Sequence, residues 1–179
     1  MVKLRLVAAG AIAIVMGACA DTGTVAGPQP ASQVQTRAAA ASHQIAASGS
    51  YDALVDFSTI TLTPRGQQCE ITVKGQLVFT TGTLHGVAPG QTTALEFATC
   101  DEVAANPPGT FPDVFHSELV FDGTADGNPA HADVRYMGRS EPGGHINGRL
   151  VFSNGIAGQV DADAFIAVGG TYDGSLVVP

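Results

Sequence analysis

Tryptophan is absent from this 179-residue sequence, tyrosine occurs three times, and charged residues make up only 13% of it. Basic residues are few: eight Lys and Arg stand against sixteen Asp and Glu, a formal charge of −8. A chain with so little positive charge has no surface to neutralise phosphates, which excludes nucleic acid as a partner. The low charge density also excludes a coiled coil and a charge-rich disordered protein. No apolar run reaches the roughly 20 residues that a membrane-spanning helix needs. Without tryptophan or an aromatic girdle, a barrel immersed in lipid is excluded too. There is no Gly-x-Ser-x-Gly elbow, phosphate loop or dinucleotide fingerprint, so no cofactor is expected. The five histidines form no His-x-His or His-x-x-x-His pair, and no metal site is assigned to them. A chain of this length has room for one domain or two small ones.

What is present begins with an address. Lys3 and Arg5 precede an apolar run over 6–16, the charged and apolar regions of a secretory signal. Met16-Gly17-Ala18-Cys19 resembles the lipobox of bacterial lipoproteins. That resemblance implies a signal peptide over 1–18, lipidation of Cys19, and a membrane anchor of several acyl chains. Ala20, rather than Asp, after the cysteine implies outer-membrane sorting, facing the periplasm or the surface. The competing reading uses Ala18-Cys19-Ala20 as an ordinary small-x-small cleavage site, which discards Cys19 and releases a soluble protein. Either way Lys3 and Arg5 are lost, leaving six basic residues against sixteen acidic. Residues 19–50 are rich in Ala, Thr, Gly, Ser, Gln and Pro with almost no large apolar side chains. Such a segment buries too little surface to offset its ordering entropy and is expected to be a flexible tether.

From Tyr51 onward the hydrophobic period is two. Cys69, Ile71, Val73, Leu77 and Phe79 alternate with Glu70, Thr72, Lys74 and Gln76. Similar runs recur around 53–63, 91–100, 114–122, 130–137, 145–153, 156–168 and 171–178, separated by Gly, Pro and Asn turn signals. The expectation is a single all-β domain over 51–179, about eight antiparallel strands forming a small barrel, with a two-sheet sandwich as the alternative. No helix is expected after the tether, and the proline-rich stretch 101–113 reads as a crossover or lid. Cys69 and Cys100 survive either processing route, and an even pair in an exported chain points to a disulfide. They lie symmetrically about 84–85, a register that sets Lys74 against Leu95 and calls for a bulge in that hairpin.

The last four runs allow a register argument. Their even-numbered residues are apolar or small and must share one face. Pairing Phe152 with Ile156 and Tyr136 with Ile146 achieves this. The other face then carries three rows: Asp133, Arg149 and Gln159; Arg135, Asn147 and Asp161; Met137, His145 and Asp163. The plain reading is a solvated outer face with exposed charge pairs worth about 1 kcal/mol or less. The functional reading is a binding surface on which His145, oriented by Asp163, serves as a base. Gly148, Gly158 and Gly174 fall on the apolar face, where they permit strand coiling or leave room inside. In the second case Tyr136 and Tyr172 supply the polar tips of a small apolar cavity.

This layout is similar in architecture to the small barrels of the lipocalin and allene-oxide-cyclase kind, without the Gly-x-Trp of lipocalins. The resemblance implies an internal ligand site. The expected role is non-catalytic binding of a small apolar ligand, or of an envelope partner, by a lipid-anchored protein. Two rivals stand beside it: an interaction module with a filled core, and a cyclase or hydrolase working in the barrel mouth.

Overall fold

The period-two alternation produces eight antiparallel strands in a computed structural model that describes residues 42–179. In chain order they are β1 (His43–Arg65), β2 (Gln68–Gly82), β3 (Leu84–Glu96), β4 (Asp113–Ala125), β5 (Asn128–Ser140), β6 (His145–Ser153), β7 (Ala157–Phe165) and β8 (Gly169–Val178). Each strand pairs with the next and β8 returns to β1, closing an up-and-down barrel. The sandwich alternative falls away. The signal peptide and Cys19 lie outside the described residues.

Four expectations need correction. The segment 43–50, assigned above to the tether, is the first part of β1. It pairs with β8 from His43↔Val178 to Asp52↔Gly169. Ala47 is buried there, and Gly49 lies opposite Tyr172, whose ring occupies the space a side chain would need. The partner strand is over a hundred residues away, so local composition carries no trace of it. Second, the described residues include one short helix, α1 (Cys100–Ala105), inside the proline-rich crossover. Thr99 caps it: its side chain accepts from the Glu102 amide, and Glu102 reaches back to the Thr99 amide at 2.9 Å. This reciprocal Thr-x-x-Glu box satisfies two donors that the helix start would otherwise leave free.

Third, the β2–β3 ladder runs unbroken from Cys69↔Glu96 to Phe79↔Gly86, placing Lys74 opposite Gln91. The bulge lies instead in β1, where 57–60 loop out between Asp56↔Lys74 and Thr61↔Thr72. Fourth, two registers shift. Tyr136 pairs with Leu150 because β5 continues to Ser140, and Phe152 pairs with Gly158 because Asn154 takes the left-handed conformation (φ 57°). Both shifts are even, so the faces keep their identity. Val134, Tyr136, Leu150, Phe152, Val160, Tyr172 and Leu176 are all buried; of the residues assigned to that face only Val168, in the last turn, and Gly174 are exposed.

The two barrel ends differ. At the end bearing the 126–127 and 154–156 turns, Leu84, Phe121, Phe152 and Ile156 are fully buried, and Phe79 meets Phe121 and Tyr172 edge to face. At the opposite end the segment 97–112 crosses the opening. Cys69–Cys100 ties the start of α1 to β2. Gly143 donates to the Gly109 carbonyl at 2.9 Å, joining that segment to the β5–β6 turn. The chains approach so closely here that a side chain on Gly109 (φ 80°) would meet the Gly144 backbone at 2.8 Å. Glycine is required on both counts.

Candidate functional site

Under the 97–112 segment lies a cavity of about 450 Å³, within the range typical of small-molecule sites. Its walls are apolar: Leu62, Ile71 and Val73 from the β1–β2 side, Phe115 and Leu119 from β4, Ile146 and Ala164 from β6 and β7. Val103, Pro107 and Phe111 line it from the crossing segment. Tyr51 and Tyr136 stand against the packed core, with the Tyr51 hydroxyl donating to that of Tyr136 at 3.0 Å. Burial pushes both phenols up, so both stay neutral at ordinary pH. The opening is rimmed by Leu54, Phe57 and Phe165, each about half exposed although it lines the cavity. Phe57 is held at the rim by the bulge. Asp56 accepts from the Ser58 amide and hydroxyl, while the Thr59 hydroxyl donates to the Asp56 carbonyl and accepts from the Lys74 amide.

Two carboxylates interrupt this apolar lining. Glu96 ends β3, Asp113 begins β4, and the two are direct cross-strand partners, 6% and 5% exposed. Ser140, the partner of Asp113 on β5, donates to Asp113 Oδ2 at 2.7 Å. Glu96 Oε2 and Asp113 Oδ1 have no hydrogen-bond partner among the described residues, and neither carboxylate forms an ion pair there. Desolvation, with the Asp113 charge adding to it, pushes Glu96 up to about 7. Burial also raises Asp113, partly offset by the Ser140 bond. Neither acid was singled out from the sequence. The signal was phase: Glu96 follows Thr92 and Ala94, and Asp113 precedes Phe115, Ser117 and Leu119, on the inward face of its strand.

The residues expected to line a cavity divide differently. Tyr136 lines it, but Gly148, Gly158 and Gly174 do not. A side-chain carbon on Gly148 would sit 2.6 Å from the Tyr136 ring, so that ring already fills the space glycine leaves. Gly158 and Gly174 sit against the backbones of β8 and β7. Tyr172 spends its hydroxyl on the packed end, accepting from the Leu84 amide at 2.8 Å and donating to the Thr81 carbonyl at 3.3 Å.

The polar face lies on the outside of the wall. His145 Nε2 donates to Asp163 Oδ1 at 2.9 Å, a diagonal contact, since His145 faces Phe165 and Asp163 faces Asn147. The Asn147 amide donates to His145 Nδ1 at 3.5 Å, which suits the neutral tautomer. Arg149 pairs with Asp161 at 3.0 Å, not with Asp133. Asp133 accepts from Asn154 instead. Arg135 lies opposite Glu118 and Val151 rather than Asp161, and forms no ion pair among the described residues. With Asp163 two-thirds exposed, the pair lacks the enclosure that makes an oriented histidine a base. No group of three metal-ligating side chains occurs among the described residues. No protein family matches the sequence, and neither a curated protein nor a solved structure does.

Proposed function

We propose that this is an exported, lipid-anchored envelope protein whose barrel binds a small apolar ligand without catalysis. The observation that carries the binding role is the cavity at the barrel mouth, about 450 Å³ and walled by aliphatic and aromatic side chains. The anchor rests on the lipobox-like cysteine, with outer-membrane sorting from Ala20. The Cys69–Cys100 disulfide suits an oxidising compartment outside the cytosol. The exposed rim residues Leu54, Phe57 and Phe165 favour a second reading, in which an envelope partner docks on the mouth.

The test is native mass spectrometry of the protein purified from its own envelope fraction, repeated after denaturation. Extra mass that leaves on denaturation is expected, and lipid on Cys19 should persist as covalent mass. Ala94, between Ile71 and Phe115 on the cavity wall, is the position to fill. Ala94→Trp should lower ligand occupancy while thermal unfolding stays cooperative. A bare wild-type mass would sink the ligand reading and turn attention to the rim.

A further inference from the structure

The Glu96–Asp113 pair makes little sense as part of an empty apolar container. Each side chain points inward at a position where an in-phase apolar residue would pack at no electrostatic cost. Two carboxylates brought together out of water repel each other and lose hydration, and only Ser140 compensates. An oxygen of each is left without a protein partner, although more than nine-tenths of each residue is buried. Both residues line the same cavity, with the two unpartnered oxygens themselves turned away from its open space. Lys74 also lines it but reaches neither acid, and the remaining polar side chains of the lining, Tyr51, Tyr136, Thr92 and Ser117 among them, are uncharged. Thr92 and Ser117 satisfy one another at 2.7 Å.

We infer that the cavity is built for an amphiphile with a cationic amine head, the apolar body lying between the β1–β2 and β4 walls and the ammonium held between Glu96 and Asp113. This rests on the reading of the cavity as a ligand site and names the ligand's chemistry. An ammonium brings three donors and one positive charge. Once the carboxylates rotate to turn these oxygens toward the cavity, it can partner both and relieve the repulsion between the acids. A neutral hydroxyl supplies one donor, and a carboxylate ligand adds a third negative charge. The formal charge of −8 favours approach of a cation over an anion.

The experiment titrates the full chain with dodecylamine, dodecanol and dodecanoate at about pH 8, where the amine is still protonated. Calorimetry is run below the concentration at which each probe self-associates. The amine should bind about 10–100-fold more tightly than the alcohol, as expected for charge-assisted bonds in a partly dry site. Glu96→Gln with Asp113→Asn should collapse that preference to about twofold while leaving alcohol binding intact. Those changes keep shape and remove repulsion, so the variant is expected to fold, and its melting curve verifies this. Equal binding of amine and alcohol, or tightest binding of dodecanoate, overturns the amine assignment while leaving the apolar site standing. Failure of all three probes to bind overturns both.

Discussion

Glu96 and Asp113 couple the fold to pH in a direction opposite to most acidic pairs. A carboxyl whose value is higher in the folded than in the unfolded chain holds its proton more tightly in the fold. Stability therefore rises as pH falls from above 7 toward the ordinary value of 4.5, and it is lowest where both acids are ionised. Allowing for partial screening at the barrel mouth, Glu96 should account for about 1–2 kcal/mol between those limits. Urea midpoints at pH 5 and pH 8 measure it. Glu96→Gln should stabilise the protein at pH 8 and flatten the dependence; an unchanged slope would show that the acid is not buried in solution. The feature was legible in principle, since an acid in phase with apolar neighbours stands out once strand ends are known. It was missed because both acids lie at strand termini, where a shift of one residue moves a side chain from the inside to the outside.

At the level of elements, the crossing segment is the part most dependent on a single bond. Helix α1 has six residues and buries none of them, so packing alone holds it weakly. Its capping box supplies local order, and the disulfide to β2 fixes its start over the cavity. With the cysteines 31 positions apart in sequence, replacing both by serine should cost about 3–4 kcal/mol by the chain-entropy argument. Denaturant melts give that figure. Amide exchange over 100–106 should accelerate further than in the β4–β5 hairpin, because the segment loses its tether as well. The cysteine pairing was readable from sequence, and its geometry was not. Symmetry about 84–85 suggested two facing strand residues, whereas Cys69 faces Glu96 and its partner lies four residues beyond. The Thr99-x-x-Glu102 signature marked the helix, but strand-like alternation on either side masked it. Strand positions after Tyr51 were largely clear from turn residues and apolar phase, except that Pro89 and Gly90 read as a turn yet lie inside β3, which starts at Leu84 and ends at Glu96 rather than running over 91–100.

For the molecule as a whole, closure depends on the stretch that composition marks as unstructured. Residues 43–50 supply eight of the ten β1 positions paired with β8. Deleting them from the full chain should abolish the cooperative unfolding transition. A tether shortened by eight residues would leave that transition where it was, so one thermal melt separates the two roles. Closure is the property least visible in a sequence: each hairpin is local, but the pairing that joins the first strand to the last is not.

Pairing to β8 ends at Asp52, and beyond it β1 runs to Arg65 with β2 on one side only. That overhang is the longest run of strand paired on one side only among the described residues. A long, flat strand edge there would be a template for a second chain and an invitation to fibres. The looped-out residues 57–60 break it at its middle, and Pro64 removes a donor near its tip. The same irregularity that sets Phe57 at the cavity rim therefore keeps an acidic, sparsely charged protein from adding strands of its own kind.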